Sequence, residues 1–159
     1  MFQVRVFTPA YVLTGAAEES NAFLGWLNNK DKNALDLYKV ESLLLDPKTS
    51  IPATTADLVT LDKSQVVAID MVSAEAQQSI NLSERTELVV LYTTRFIIRA
   101  RMHPRGEMPI NKIPDVVNSQ FVAVSQVKLH PLVPTRQLPS LESALMVLNW
   151  RHVDFFHAG

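Results

Sequence analysis

The chain has 159 residues, of which 47% are hydrophobic and 19% are charged, and its formal net charge is -1. This composition is ordinary for a folded protein, too apolar for intrinsic disorder and too nearly neutral to predict a polyanion-binding protein from bulk charge. The absence of cysteine excludes disulfides, thiolate metal sites and a cysteine nucleophile, and it agrees with a reducing cytoplasm, the location that we predict. No basic region with a following apolar run predicts a secretory signal, and no apolar run approaches the roughly 20 residues of a membrane helix, so we expect no membrane partner.

The first elements predicted along the chain are a β-hairpin and a short helix. Residues 4–8 and 11–17 are rich in β-branched and aromatic residues and are separated by a Pro-Ala pair, which indicates two paired strands. Ser20 is placed to cap a helix that runs through Asn29, and residues 35–45 are predicted to form the next strand.

The next stretch, residues 51–69, has a counterpart at residues 138–156. The correspondence runs without a gap and matches Leu58 with Leu145, Leu61 with Leu148, Asp62 with Asn149 and Val66 with Val153. Such repetition defines the unit of folding. We predict that each copy ends in a strand, at residues 65–70 and 152–157.

A second hairpin is predicted at residues 87–93 and 95–102, which match the first hairpin. The spacing between the two hairpins along the chain is two residues shorter than the spacing between residues 51–69 and their counterpart. The two extra residues of the second copy are best placed around residues 103–106, since insertions of this size usually lie in surface turns. Residues 108–117 correspond to the first helix but contain two prolines, which predicts a broken turn or a helix that restarts after Pro114.

The last part of the two copies gives conflicting local signals. Residues 121–129 alternate between two faces and predict a strand. Residues 140–148 favour a helix by propensity, with Ser140 as its cap, whereas the corresponding residues 54–61 favour a turn that enters a strand. Because copies of one unit share their structure, we predict a strand at residues 144–148.

These elements predict a mainly β protein with short helices, made of two tandem repeats of a small β-barrel or β-sheet unit. The first repeat spans residues 1–72, a polar connector (a linker or one helical turn) spans 73–86, and the second repeat spans 87–159. A unit of this size buries only a marginal core by itself, so we expect both to pack as a pseudo-twofold dimer in one compact chain. The residues predicted to be buried are Val4, Val6, Leu13, Phe23, Leu27, Leu37, Leu61, Val66, Val89, Leu91, Ile98, Val124, Leu148 and Val153.

Three segments of the first copy carry a family resemblance. They read V-R-V-F-T-x-x-x-V-L-T-G from Val4, F-L-x-x-L-N from Phe23 and A-D-L-V-T-L-D-K-S-Q-V-V-A-I from Ala56. Together they resemble a family of small uncharacterised bacterial β-domains, here in two copies, and are loosely similar to Sm-like barrels. The resemblance implies a short, bent, five-stranded unit that is usually oligomeric, and it implies no activity.

The residues that carry chemistry form no recognised constellation. The four glycines are too far apart for a phosphate-binding loop, and the four histidines have no metal-ligand spacing. Asp57, Asp62 and Asp70 correspond to Ala144, Asn149 and His157, so no acidic pair is repeated, and we interpret these aspartates as turn and edge residues. We therefore predict no catalytic, cofactor-binding or metal-binding residues and a protein that is not an enzyme. An enzyme with an unrecognised site stays an alternative.

The charges are distributed unevenly between the two copies. Residues 1–86 hold seven basic and eleven acidic side chains, and residues 87–159 hold eight and five. Strand alternation puts most of a basic cluster on one face of the second hairpin. The candidate residues for binding an anion or a partner are Arg95, Arg99, Arg101, His103 and Arg105. A solvated face that pairs with the acidic first half is the alternative interpretation.

The leading functional hypothesis is a non-catalytic interaction or assembly module that needs no cofactor. Edge strands invite pairing with another chain, so we expect self-association, as a dimer, and allow a protein partner. The alternative hypothesis is nucleic-acid or anion binding through the basic strand.

Overall fold

The computed structural model describes residues 1–46, 48, 51–113, 118–135 and 138–159. The first half of the chain contains five strands, two short helices and one 3-10 turn. Their bounds are β1 (Phe2–Phe7), β2 (Tyr11–Ala17), α1 (Phe23–Leu27), β3 (Ala34–Leu44), β4 (Thr54–Asp62), a 3-10 turn (Lys63–Gln65), β5 (Ala68–Met71) and, in the predicted connector, α2 (Ala74–Gln78).

The second half also contains five strands, with two 3-10 turns. Their bounds are β6 (Glu87–Tyr92), β7 (Phe96–Met102), a 3-10 turn (Ile110–Lys112), β8 (Phe121–Pro131), β9 (Leu141–Asn149), a 3-10 turn (Trp150–His152) and β10 (Phe155–Ala158). The strand predicted at residues 144–148 against local helix propensity is confirmed. The sheet neighbours of this segment outweigh its intrinsic preference.

All ten strands form one antiparallel sheet in the order β10-β6-β7-β8-β9-β5-β1-β2-β3-β4. The mainly β class with short helices is therefore confirmed. The sheet is open, with β4 and β10 at its two ends, so of the two predicted forms of the unit, a small β-barrel or a β-sheet, the barrel does not form.

The two halves meet where β5 pairs with β9, a pairing that we call the joint. In the joint, Ala68 lies opposite Leu148, Ile69 opposite Val147, and Asp70 opposite Met146. The joint therefore pairs the fifth strand of the first half with the fourth strand of the second. A twofold axis would pair one strand with its own counterpart, so the pseudo-twofold packing expected from the sequence is not present. The sequence correspondence carries no information about which strand edges of the two halves meet.

The apolar side chains form two clusters, one for each half, and each cluster takes residues from across the joint. Phe121, Leu145 and Val147 join the first-half cluster, whereas Val67 and Ala68 join the second-half cluster. Each half thus completes the core of the other.

The predicted core residues are buried with two exceptions, Leu61 and Val153, which are half-buried. Leu61 lies on β4, and Val153 lies two residues before β10. Both predictions were wrong for one reason: these strands end the sheet, and no further strand covers them.

The first helix is shorter than predicted. It begins after Ala22 without a side-chain cap, and Ser20 accepts only a 3.3 Å hydrogen bond from the Ala22 N–H. In the corresponding segment, the turn at Ile110–Lys112 agrees with a broken helix. The predicted restart after Pro114 falls at residues 114–117, outside the described residues. No helix in the described ranges is long and apolar enough to cross a membrane.

Candidate functional site

The predicted basic strand is β7, and its alternation is confirmed. Phe96, Ile98, Ala100 and Met102 are buried, while the intervening side chains point outward. Arg99 lies opposite Lys128 on β8, so the two cations share the outer face of the sheet. Arg95 is exposed in the turn before β7. We call the surface formed by Arg95, Arg99, Arg101 and Lys128 the basic face.

His103 does not belong to the basic face, although the sequence placed it there. Its Nδ1 lies 2.7 Å from the Ser83 carbonyl oxygen, and its Nε2 lies 2.8 Å from Ser125 Oγ. The carbonyl can only accept, so Nδ1 donates to it, and Nε2 shares a second hydrogen bond with the serine hydroxyl. The half-buried ring thereby fastens the connector to β8.

The hydrogen bonds of the basic face are local. Arg101 Nε donates to Gln126 Oε1 at 3.0 Å, and Lys128 Nζ lies 3.0 Å from Glu142 Oε1. Among the described residues, no ion pair joins Arg95, Arg99 or Arg101 to an acidic side chain. The alternative in which this strand pairs with the acidic first half therefore finds no ion pair among the described residues, where Arg101 instead makes a 3.3 Å hydrogen bond from Nη1 to Thr86 Oγ1.

A cavity of about 700 Å³ lies between the two halves, beside α1 and the connector. Arg105 and His103 border it from the second half, and Leu24 and Asn28 border it from α1. Both polar atoms of the Asn28 side chain bond to one residue: Nδ2 donates to the Phe121 carbonyl at 2.9 Å, and Oδ1 accepts from the Phe121 N–H at 2.8 Å. The polar groups of this cavity thus hold α1 and the connector against β8.

The joint contains buried polar side chains whose importance the sequence did not reveal. Asp70 is 6% exposed and accepts a 2.6 Å hydrogen bond from Ser143 Oγ on β9. Burial raises the pKa of Asp70, and the bond from Ser143 and the charge of Arg5 only partly offset that rise. Asp70 is therefore a residue of the joint, which corrects its assignment to a turn or edge. No pattern in the sequence marked this role, because Ser143 lies on a strand whose pairing with β5 is known only from the structure.

Asn149 makes the second polar connection across the joint. It is 1% exposed, its Nδ2 donates to the Val66 carbonyl at 2.8 Å, and its Oδ1 accepts from the Arg151 N–H at 3.1 Å. Its backbone N–H also donates to the Val67 carbonyl at 2.9 Å. One residue therefore connects the end of β9 to the segment that enters β5.

Lys63 is a buried cation whose structural role no sequence pattern predicted. It is 5% exposed, and its Nζ donates to the carbonyl oxygens of Leu27 at 2.8 Å and Asn29 at 2.9 Å. These carbonyls lie at the C-terminal end of α1 and just beyond it, where backbone oxygens lack helical partners. Burial, followed by the charge of Lys32, lowers the pKa of Lys63. Lys63 therefore anchors α1 to the turn after β4.

Asp57 and Asp62 lie at an edge strand and at a turn, as predicted. Asp57 lies on β4 with its carboxylate 2.6 Å from Lys39 Nζ, and Asp62 Oδ1 accepts from the Ser64 N–H at 2.8 Å. The described residues contain no group of three or more histidines and carboxylates placed to hold a metal ion.

No protein-family model, curated protein or solved structure matches this chain. The resemblance to small bacterial β-domains and to Sm-like barrels therefore stays a prediction.

Proposed function

We propose that this protein is a non-catalytic assembly module, built from two copies of one five-stranded unit joined head to tail. The observation that carries the proposal is the joint, in which an edge strand of one unit serves as the binding partner of another. Within each half, the fifth strand lies beside the first, and the remaining strands follow in chain order. The joint continues this order from one unit into the next.

Irregular backbone features at corresponding positions support the duplication. Lys39 in β3 has a φ of 51°, and Gln126 in β8 has a φ of 49°. Residues other than glycine rarely adopt this left-handed conformation, so its presence at two corresponding sites is an informative coincidence. The strand pairings also shift register at matching places, between Thr14 and Ala16 and between Arg99 and Arg101.

The hairpin turns correspond in the same way. The Thr8 N–H donates to the Tyr11 carbonyl, and the Thr93 N–H donates to the Phe96 carbonyl, each at 2.9 Å. Each threonine hydroxyl oxygen also accepts from the N–H of that same partner residue. Equal side chains thus perform equal structural roles in both copies.

The use of polar side chains between the halves supports binding rather than catalysis. Asn28, His103 and Asn149 direct both of their polar atoms to backbone or hydroxyl groups of neighbouring elements. Groups engaged in this way hold strands together and are poorly placed to take a proton from a substrate.

Self-association and turnover are the measurements that test the proposal. We expect light scattering to give a mass above that of one chain, increasing with concentration, and a screen of hydrolase and transferase substrates to give no turnover. A chain that stays monomeric at high concentration, or one that turns over a substrate, would contradict the assembly role.

Anion or nucleic-acid binding by the basic face is the second candidate, favoured by the exposure of Arg95 and Arg99, which form no ion pair with any described acidic side chain. We expect retention on heparin that falls with salt, because phosphate and sulfate contacts release counterions. The double variant Arg99→Ala with Arg101→Ala should weaken retention. The matched control, Lys30→Ala with Lys32→Ala, removes equal charge from the other half, and equal weakening by both variants would reject a site on β7.

A further inference from the structure

The two ends of the sheet are the counterparts of the two strands that form the joint. We propose that copies of this chain bind one another through β4 of one copy and β10 of the next, in the register of the joint. This inference rests on the proposed assembly role and adds the partner, the two surfaces and their alignment. Among the described residues, β4 pairs only with β3 and β10 only with β6, so each presents one free edge within that part of the chain.

At two edge positions whose counterparts in the joint are buried, the edge strands carry large apolar side chains that are uncovered. Leu145 in β9 is 4% exposed, whereas its counterpart Leu58 in β4 is 52% exposed. Ala68 in β5 is fully buried, whereas its counterpart Phe155 in β10 is 59% exposed. Large exposed apolar side chains at the edge of a sheet favour association with another strand.

The register follows from the joint. The pair Ala68 and Leu148 predicts that Phe155 of one copy lies opposite Leu61 of the next, and Ile69 with Val147 predicts Phe156 opposite Thr60. In the joint, alternate β9 residues reach the core of the neighbouring unit: Leu145 and Val147 join the first-half cluster. Leu58 would correspondingly reach the cluster beside Phe156 in the neighbouring copy, and Phe155 would reach Leu61.

A second copy is the occupant that the molecule itself specifies. One chain carries both complementary edges, and the joint demonstrates that strands of this kind fit together. The two edges differ from each other, so the contact is heterologous and every added copy leaves one edge of each kind free. Such a contact produces a closed ring or, if the rotation does not close, a filament.

One residue makes the contact between copies weaker than the joint. The Asn149 amide donates to the Val66 carbonyl, but its counterpart at the free edge is Asp62. A carboxylate cannot donate to a carbonyl, and the Ser64 N–H holds the pKa of Asp62 below its usual range, which keeps it ionised at neutral pH. We expect the Asp62→Asn variant to restore the missing donor and to tighten association by roughly five- to tenfold.

Disulfide trapping tests the register directly, because the natural chain has no cysteine. Opposed residues of antiparallel strands have Cα atoms about 4.5–5.5 Å apart, within the range that a disulfide spans. A mixture of the single variants Leu61→Cys and Phe155→Cys should cross-link between chains under mild oxidation. The control mixture, Leu58→Cys with Phe155→Cys, is displaced by three residues, or about 10 Å, and should cross-link far less.

Sedimentation of edge variants completes the test. Leu58→Lys should weaken association at least tenfold, while Leu132→Lys, a change at a similarly exposed leucine away from both edges, should leave it unchanged. Oligomers that resist Leu58→Lys and fail to cross-link at positions 61 and 155 would overturn the edge contact and leave the assembly role intact. A wild-type chain that stays monomeric at high concentration would overturn the assembly role itself.

Discussion

The joint and the free edges use corresponding residues in different surroundings. Val66 is fully buried beside the joint, whereas Val153, its counterpart beside β10, is half-buried. Asp70 in the joint is bonded to Ser143, while its counterpart His157 is exposed at the end of the sheet. The comparison teaches that burial is decided here by which edge is covered. The local sequence alone predicts equal burial for both members of each pair.

The largest expected difference between the joint and the free edges is in the stability that is lost when a packed leucine is truncated. Leu148→Ala should lower the free energy of unfolding by about 2–5 kcal/mol, because it removes a side chain that is 1% exposed in the second-half cluster. Leu61→Ala should cost about half as much, since Leu61 is already half-buried in the isolated chain. Urea unfolding at low protein concentration measures both. Equal losses would mean that β4 is covered even in the monomer.

The next largest effect is expected when the polar residues of the joint and of the free edge are exchanged. Asn149→Asp places a carboxylate against the Val66 carbonyl at a site that is 1% exposed, and we expect a loss of about 2–3 kcal/mol of stability. The reciprocal change, Asp62→Asn, lies at an exposed site and should leave the stability of the monomer within about 0.5 kcal/mol. Thermal unfolding distinguishes the two, and a neutral Asn149→Asp variant would contradict the role assigned to the amide.

The smallest difference concerns the pH dependence of two carboxyl groups. The pKa of Asp70 is raised in the folded state by burial, so the folded chain holds the proton more tightly than the unfolded chain. The contribution of Asp70 is thus complete below its unfolded pKa, near 3.9, and is lost as pH rises through the folded value. Relative to wild type, Asp70→Asn should therefore gain stability as pH rises from about 3.5 to 6.

Asp57 on the free edge should show the opposite sign. Its pKa is lowered by the hydrogen bond and charge of Lys39, so its contribution is present above the unfolded pKa and is lost as pH falls. The pair is exposed, so the effect of Asp57→Asn is expected to be small. Paired pH titrations of unfolding for the two variants measure the slopes, and equal signs would refute this assignment of their environments.

Much of the fold could be predicted because its signals are local or repeated. The alternation of residues 96–102 identified the buried face of β7, and the correspondence with residues 54–61 identified β9 against its helix propensity. The open sheet, the joint and the free edges could not be predicted, because strand pairing between units leaves no periodic trace in either strand. The same limitation made Leu61 and Val153 look like core residues.

The candidate site was predicted only in part, for a related physical reason. Alternation correctly brought Arg99 and Arg101 to one face, but it could not show that the His103 ring is engaged by Ser83 and Ser125. Lys63 was missed because its partners are carbonyl oxygens, which every residue possesses and no sequence pattern marks.

The connector makes the pairing of β5 with β9 within one chain differ in strength from the proposed pairing of β4 with β10 between chains. Residues 73–86 tie the first unit to the second, so β5 and β9 meet at the effective concentration of a short tether, in the millimolar range. β4 and β10 of separate chains meet only at the concentration of the protein itself. In the proposed assembly, the same strand geometry would give a stable pairing inside the chain and a concentration-dependent pairing between chains, so the degree of polymerisation would report protein abundance.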